Sequence, residues 1–390
     1  MVLVLPSFFS WMERQQPLPG IVLSSPFMDI QPVTFFFPDI EDLTQLPTFD
    51  LSDWRIWRGT KSRRRAWIVQ TYLRLKQAGY EVSISGQLPR EGVVVLLVED
   101  QFKRAFKAQF SPAHRNLFVL SIRADIEGFR SPIADAEVVQ NGKFADGRRV
   151  FFIPHWPQPG LIPRDRSRGT TIRTISFKGR NGSFRKEFHS ERFAGFLKER
   201  NLVFDYGVPQ NGTLPMWHDY ASTDLLLAVR PDWKWGKLRC EKPATKLINA
   251  WHAGVPAIVG PEYAFRELRR SNLDFIEVNS VEESISAITM LMEKPDLYEA
   301  MVENGLERAR DFTPERITER WAHVLFEKVP EISAGRLFQL SRSMPLSTRR
   351  ATNLLAMPPT PFEFRKQVSY VLQQLTARPQ PVSRAQNTTS

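Results

Sequence analysis

The sequence predicts an α/β protein with two Rossmann-like domains, an N-terminal extension and a basic C-terminal tail. Three observations lead to this fold class. Short apolar runs alternate with helical patterns, as in parallel sheets whose strands are buried on both faces. Residues 154–170 hold four prolines and two glycines, which is typical of a linker. The length of 390 residues suits two domains better than one core.

The first domain is assigned to residues 51–165. Residues 62–78 place their apolar side chains on one helical stripe, and residues 81–85 alternate like a strand. Further strands, buried on both faces, are predicted at 93–98, 116–122, 136–139 and 149–153. Residues 1–50, rich in Phe and Pro, are interpreted as an irregular extension that packs on this domain.

The second domain is assigned to residues 166–330. Its predicted strands are 171–177, 202–207, 224–230, 256–260 and 275–278. Its predicted helices are 187–199, 217–222, 245–253, 281–293, 295–310 and 313–328. Residues 331–390 carry eight basic and two acidic side chains. They are interpreted as a basic tail with one amphipathic helix over 362–377 and a disordered end.

The composition narrows the class of function. A single cysteine, Cys240, leaves no disulfide framework and no cysteine-based zinc site. Residues 1–10 lack the basic start of a signal peptide, and no apolar stretch is long enough to span a bilayer, so we expect a cytoplasmic protein. The net charge of +11 suits an anionic ligand, a nucleic acid or an anionic membrane surface, and does not choose among them.

The segment 241–260 predicts an anion-binding site. It is expected to form a loop, the start of a helix, a short helix and a buried strand. Pro243 suits the first turn of a helix, whose exposed amides attract anions. Thr245 adds a hydroxyl donor and Lys246 a positive charge, and together they suit a pyrophosphate. Either residue alone is commonly a helix cap or a solvated charge, so the combination carries the prediction.

This segment resembles the donor-site region of GT-B glycosyltransferases. Residues 242–256 match that family's K-P-x-x-K-L-x-x-A-x-x-x-G-x-P pattern, and the A-G-V-P turn at 253–256 is its most specific part. The resemblance covers residues 175–328. It implies two Rossmann-like domains facing a central cleft, with a nucleotide-sugar donor bound by the second domain and an acceptor by the first.

The resemblance also implies individual donor contacts. Retaining members carry a Gly-Arg followed six positions later by lysine, both reaching the donor phosphates, and Arg180 and Lys186 match that spacing. These members also carry two glutamates eight positions apart. Glu241 matches the first, while Asn249 stands at the second, where its amide is expected to contact the ribose. Glu262 is a further candidate for a polar contact. The alternative for these residues is a solvated surface loop.

A catalytic base is expected from the first domain, at the carboxyl end of a strand that faces the cleft. Asp125 is the preferred candidate, and Glu127, Asp100 and His155 are the others. Acids at strand ends also cap helices, and His155 can simply pack beside Trp156. No Asp-x-Asp string and no cluster with metal-ligand spacing occurs in the sequence, so we expect a reaction without metal or cofactor.

The sequence therefore predicts a glycosyltransferase that moves a sugar from a nucleotide-sugar to a hydroxyl acceptor, such as a polysaccharide, a lipid-linked glycan or a small molecule. The basic tail is a candidate for contact with an anionic membrane surface. One alternative is an inactive GT-B-like scaffold or glycan-binding protein, which Asn249 favours. Another is a nucleic-acid binder, suggested by charge and by the arginines at 63–65, but no recognised module supports it. Trp233 and Trp235 are candidates either to stack on a ligand ring or to anchor their own loop.

Overall fold

The structure is a computed structural model, and it describes most of the chain after residue 30. The described residues are 31–57, 62–102, 104–124, 130–180, 183–206, 216–231, 242–345 and 353. They belong to one compact unit, Gln31–Ser390. Within this described part, none of the helices has the length and apolar character needed to cross a membrane.

The first lobe is built on a six-stranded sheet in which every pairing is parallel. Its strands are β1 (Val33–Phe36), β2 (Val82–Ser85), β3 (Val93–Leu97), β4 (Phe118–Arg123), β5 (Ala136–Val139) and β6 (Val150–Phe152). They lie in the order β2-β1-β3-β4-β5-β6. All five residues of β3 are buried, as expected for a central strand covered on both faces.

The strand β1 shows that the prediction of an irregular extension over residues 1–50 is wrong for its second half. β1 lies between β2 and β3 and pairs with both. Phe35 and Phe36 are fully buried. The sequence pattern hid this strand because a continuous apolar run between Pro32 and Pro38 shows neither alternation nor helical spacing. Residues 1–30 lie outside the described residues.

Within the described residues before the linker, four short helices accompany this sheet. They are α1 (Ile40–Gln45), α2 (Ser62–Arg64), α3 (Gln70–Gln77) and α4 (Arg104–Gln109). A π-helical turn, Arg65–Val69, joins α2 to α3, so the predicted helix over 62–78 is confirmed with a local change of pitch. Trp67, Ile68 and Leu75 on its apolar stripe are buried in the core of the lobe.

The second lobe holds a five-stranded sheet that is also fully parallel. Its strands are β7 (Thr174–Ser176), β8 (Val203–Asp205), β9 (Leu225–Ala228), β10 (Ala257–Val259) and β11 (Ile276–Glu277), in the order β11-β10-β9-β7-β8. Its helices are α5 (Glu191–Glu199), α6 (Thr245–Ala253), α7 (Tyr263–Arg266), α8 (Val281–Glu293) and α9 (Pro295–Ala309). Two parallel sheets with helices confirm the predicted pair of Rossmann-like α/β domains.

Two local predictions in this lobe have different outcomes. The helix α6 has the predicted bounds and ends at Gly254, whose φ of 66° is the left-handed C-cap that glycine adopts without strain. The helix predicted over 217–222 is wrong, because that segment forms turns and a single bridge between Asp219 and Ile162 of the linker. The bridge ties the linker to the second lobe.

The C-terminal helices return to the first lobe, which corrects the predicted boundary at residue 330. They are α10 (Pro314–His323), α11 (Val329–Ala334) and α12 (Arg336–Arg342). Ile317 and Trp321 of α10 are fully buried in the core of the first lobe. Phe338 of α12 lies 5.3 Å from Phe118 of β4, ring centroid to ring centroid. The start of the predicted tail is therefore helical and packed, while the helix predicted over 362–377 lies outside the described residues.

The linker is fixed to the amino edge of the second sheet by one buried carboxylate. Asp224, which directly precedes β9, accepts hydrogen bonds from Arg164 at 2.8 Å and Arg168 at 2.7 Å. It also accepts the backbone N–H groups of Arg173 and Thr174 at 2.8 and 2.9 Å. Since a ligand crevice lies at the carboxyl edge of such a sheet, this cluster is a structural anchor at the opposite edge.

Candidate functional site

The carboxyl edge of the second sheet offers the most favourable position for a ligand. The order of this sheet reverses beside β7, which pairs with β8 on one side and β9 on the other. In open α/β sheets, ligands bind outside the carboxyl ends of the strands at such a reversal. The backbone segments at that point follow Ser176 and Ala228, and the start of α6 lies beside them.

The loop after β7 packs against the first turn of α6. A Cβ added to Gly179 would lie 2.8 Å from Cζ of Phe177 and 2.9 Å from Cε of Lys246. The ammonium of Lys246 lies 5.3 Å from the centroid of the Phe177 ring. Because Gly179 has no side chain, the loop packs directly against Lys246. Arg180 is the next residue of the loop, so the backbone at Arg180 lies near Lys246, and both are predicted donor-binding residues.

The N-terminus of α6 carries an unused hydroxyl. Its N-cap is Ala244, which provides no side-chain hydrogen bond to the first turn. The Oγ1 atom of Thr245 is buried, and no described residue satisfies it. Because buried hydroxyls nearly always have a partner, this atom indicates a ligand or a bound water. An uncapped helix start with an adjacent hydroxyl donor is well suited to a phosphate group.

Arg180 and a further predicted cation, Lys186, lie on the segment that leads away from the β7 loop. Arg180 and Lys186 are both exposed, and within the described part of the chain neither side chain forms an ion pair. The N–H of Arg185 donates to the carbonyl of Val229 at 3.0 Å, which holds this segment at the carboxyl end of β9. Lys178, by contrast, pairs with Asp205 at 3.1 Å and is a structural residue.

A buried ion pair lies at the ends of β9 and β10. Arg230 donates to Glu262 at 2.6 Å, and Glu262 is fully buried. Of the two alternatives for Glu262, the exposed surface loop is wrong because the side chain is buried, and the donor contact stays a prediction. Its carboxylate holds Arg230 at the carboxyl edge. Sequence reasoning missed Arg230. The sequence could have indicated it, because Arg230 follows the buried strand β9 closely. A cation at that position lies at the carboxyl edge of the sheet, where ligands bind.

Asn249 is hydrogen-bonded to the linker, and its contact with a ribose stays a prediction. Only 5% of its surface is exposed, and its Oδ1 accepts the backbone N–H of Gln158 at 2.9 Å. This oxygen therefore holds the linker between the lobes. An asparagine can accept this hydrogen bond without bringing a charge into a buried position, which gives a physical reason for the departure from glutamate.

The candidate bases have different outcomes. Asp125 and Glu127, like Glu241 of the donor set, lie outside the described residues. Asp100 is fully buried and forms an ion pair with Arg64, so it is not placed to accept a proton from an acceptor. The helical pattern of residues 62–78 gave no hint of that pairing.

His155 lies in the linker immediately after β6, and its environment selects one tautomer. Its Nδ1 is 2.7 Å from the carbonyl oxygen of Trp156, and its ring meets the edge of Trp67 at 5.2 Å. Because a carbonyl can only accept, Nδ1 carries the proton and Nε2 is the basic nitrogen. Of the predicted bases within the described residues, His155 is the one whose chemistry suits proton abstraction.

The two lobes also contact each other through a carboxylate that the sequence gave no reason to select. Glu267, which follows α7, accepts the backbone N–H of Lys143 from the first lobe at 3.2 Å. The ammonium of Lys143 lies 4.8 Å from the centroid of the Tyr263 ring. Burial raises the pKa of Glu267 to about 7, although the amides of Gly142 and Lys143 act to lower it. Its ionisation therefore falls near neutral pH.

The chain has distant likenesses among solved structures. No protein-family model matches the sequence, and no curated protein matches it. Similar solved structures include TarM, with 11% identity, a TM-score of 0.44 and coverage of 67% of this chain and 58% of TarM. Sucrose-phosphate synthase from Thermosynechococcus elongatus has 12% identity, a TM-score of 0.45 and coverage of 75% and 98%. HepE from Anabaena, solved in complex with UDP, has 10% identity, a TM-score of 0.42 and coverage of 75% and 99%.

These similar structures are glycosyltransferases. At 10–12% identity and TM-scores of 0.42–0.45, these likenesses do not extend to the function of this chain. The matched region spans less than two thirds of TarM, at 58% of its length.

Proposed function

We propose that the protein is a glycosyltransferase that binds a nucleotide-sugar at the carboxyl edge of the second sheet and transfers the sugar to a hydroxyl acceptor. The observation that carries the proposal is the buried, unsatisfied Oγ1 of Thr245 at the uncapped start of α6. It lies next to Lys246, which packs on the loop of Gly179 and Arg180. This combination of a hydroxyl, helix amides and cations fits a diphosphate better than any neutral ligand.

The same groups supply a chemical role. When the glycosidic bond of the donor breaks, the leaving nucleoside diphosphate gains negative charge. Lys246, Arg180 and Lys186, together with the α6 amides, would stabilise that charge electrostatically. These cations would perform the task that a divalent metal performs elsewhere, so the proposed reaction needs no metal or other cofactor.

The acceptor hydroxyl needs a base. The proposal retains Asp125, Glu127 and His155 as candidates, and Nε2 of His155 is the basic nitrogen of its ring. The acceptor class that we propose is a polysaccharide or a lipid-linked glycan, met at the cytoplasmic face of a membrane. Support comes from the excess of basic residues in 331–390, because cationic segments are attracted to anionic lipid.

One observation supports a second candidate, an inactive scaffold with the same fold. The Oδ1 atom of Asn249 accepts a hydrogen bond from the linker, so from this position a ribose could receive a hydrogen bond from the Nδ2 amide but would find the oxygen already engaged. Such a scaffold could retain the diphosphate cradle while lacking turnover. Release of nucleotide from a nucleotide-sugar separates the two candidates, since only an enzyme shows it.

The proposal is tested first by a thermal-shift screen against UDP, GDP, ADP, CMP and dTDP. A ligand that binds only the folded state raises its melting temperature. One nucleotide should stabilise the wild type, and Lys246→Ala and Arg180→Ala should lose most of that shift. Lys198→Ala, which removes an exposed lysine from the end of α5, is the matched control and should keep it. Equal shifts in all variants, or none in the wild type, would refute the proposed site.

A further inference from the structure

A cavity of about 550 Å³ opens where the linker meets both lobes. Its base is the linker segment 157–161, and its walls include Arg74 and Gln77 of α3, His252 of α6 and Pro314 of α10. His252 is seven residues along α6 from Thr245, a distance of about 10 Å at 1.5 Å per residue. The cavity therefore lies at the opposite end of α6 from the proposed diphosphate site.

The guanidinium of Arg74 is the unusual group in this cavity. It lies over the ring of Trp156, with its Cζ 5.1 Å from the ring centroid. Its Nε is buried and has no hydrogen-bond partner in the described part of the chain. Burial lowers the pKa of Arg74 to about 10, and the charge of Glu315 only partly offsets this effect. A desolvated cation with an unused donor is stabilised by any anion that can reach it.

The remaining lining restricts the kind of anion. Pro157, Pro159, Leu161 and Pro314 give the cavity apolar walls. Two carboxylates, Asp50 and Glu315, also belong to the lining and disfavour a ligand with several negative charges. We propose that this cavity binds a small organic anion, with one carboxylate or phosphate ester group on Arg74 and a compact apolar body against the prolines.

A ligand bound in the cavity would change the affinity of the diphosphate site for nucleotide. The ligand would touch Gln158, whose backbone N–H is held by Asn249 in the middle of α6, and His252 at the end of α6. It would also bridge the linker, the first lobe and the second lobe. By linkage, an anion that changes nucleotide affinity must have its own affinity changed by the same factor. The cavity is therefore suited to an effector whose binding depends on the distance between the lobes and changes nucleotide affinity.

The test uses benzoate and methyl phenyl phosphate, each a monoanion at neutral pH, as probes, at constant ionic strength set with chloride. At concentrations well above the dissociation constant, each bound probe should raise the melting temperature by about 3 °C. Lys246→Ala and Lys76→Gln should keep the shift, because the first lies at the other site and the second removes an exposed cation from the same helix, α3. Arg74→Gln should lose it. A response to only one probe identifies which oxyanion the cavity accepts.

Three results would overturn the proposal. They are no shift in the wild type with either probe, an equal shift in Arg74→Gln, and a loss of the shift in Lys246→Ala, which would place the anion at the diphosphate site. Gln77→Glu provides a second variant if Arg74→Gln does not fold. It places a carboxylate in the cavity from an exposed position on α3 and should abolish the shift by repulsion, and a retained shift would equally contradict the proposal.

Discussion

The side chain of Lys246 packs against Gly179 so closely that a Cβ at position 179 would lie 2.9 Å from its Cε. The same Cβ would lie 2.8 Å from Cζ of Phe177, whose ring faces the Lys246 ammonium at 5.3 Å. The neighbours, rather than an unusual backbone angle, require glycine here. The contact joins the loop after β7 to the start of α6, which are the two halves of the proposed diphosphate site.

Replacement of Gly179 by alanine should displace Lys246 and Phe177. Overpacking of this kind costs about 1–3 kcal/mol of unfolding free energy. Nucleotide affinity should fall by roughly tenfold, equivalent to about 1.4 kcal/mol. Urea unfolding and isothermal titration with the stabilising nucleotide measure the two effects. Gly195→Ala on α5 is the control, since its Cβ meets nothing within 4 Å and should leave affinity unchanged. Unaltered affinity in Gly179→Ala would contradict the account.

Replacement of Thr245 by valine should have opposite effects on stability and on binding. The free protein should unfold at the same or a higher urea concentration, because the change removes a buried hydroxyl with no partner, a group that costs about 1–3 kcal/mol. The affinity for nucleotide should fall by about tenfold, as expected for one lost hydrogen bond to a charged group. Thr245→Ser keeps the hydroxyl and should bind normally. A valine variant that is less stable yet binds as the wild type does would show that the hydroxyl is structural.

The stability of the protein should depend on pH through Glu267. Its folded-state pKa is raised from 4.5 to about 7 by burial, so the folded state binds more protons than the unfolded state between these values. The free energy of unfolding should therefore be greatest below pH 4.5 as far as this group is concerned and should fall until about pH 7, by at most about 3 kcal/mol.

Glu267→Gln tests this dependence because it keeps the shape and cannot ionise. Its melting temperature should decline less than that of the wild type between pH 5 and pH 8. Glu277→Gln is the matched control, since pairing with Arg266 lowers the pKa of Glu277 and its titration lies below this window. Identical pH profiles for the wild type and Glu267→Gln would contradict the assignment. Glu267→Gln should also change nucleotide affinity, but by less than Gly179→Ala does. The reason is that Glu267 contacts Lys143 of the other lobe.

Replacement of Asp224 by asparagine should destabilise the protein without altering the binding chemistry. The carboxylate accepts hydrogen bonds from Arg164 and Arg168, and removal of one partner from a buried ion pair costs about 3–5 kcal/mol. Urea unfolding measures the loss, and Asp296→Asn at the exposed start of α9 should show almost none. Nucleotide affinity of the folded fraction should be unchanged, because Asp224 lies at the amino edge of the sheet. A large loss of affinity would mean that the linker geometry controls the site.

Much of the fold could be predicted because strands of parallel sheets and amphipathic helices leave strong local patterns. β5 and α6 have the predicted bounds, Ala136–Val139 and Thr245–Ala253. β1 could not be recognised, since its phenylalanines form an apolar run flanked by prolines that resembles a core-packed extension. The packing of α10 on the first lobe is a tertiary contact, which local sequence patterns do not encode. The apolar stripe of Ile317 and Trp321 indicates burial but not which lobe provides the partner surface.

The candidate site also has one part that local sequence patterns predict and another part that they do not. Helix-start chemistry placed Thr245 and Lys246 correctly at the first turn of α6, because capping and dipole rules act locally. The roles of Asn249 and Glu262 depend on Gln158 and Arg230, which lie 91 and 32 residues away in the chain. Contacts at that separation have no local signature. The family resemblance supplied residue positions for them, but only the structure shows which groups their oxygens accept.

A crystal structure of the protein with the most stabilising nucleotide would show directly whether a nucleoside diphosphate binds at the start of α6. A diphosphate oxygen should lie about 3 Å from Oγ1 of Thr245 and from the first amides of α6, with Lys246 and Arg180 on the same phosphates. A nucleotide bound elsewhere, or a water on Thr245 with no phosphate nearby, would contradict it.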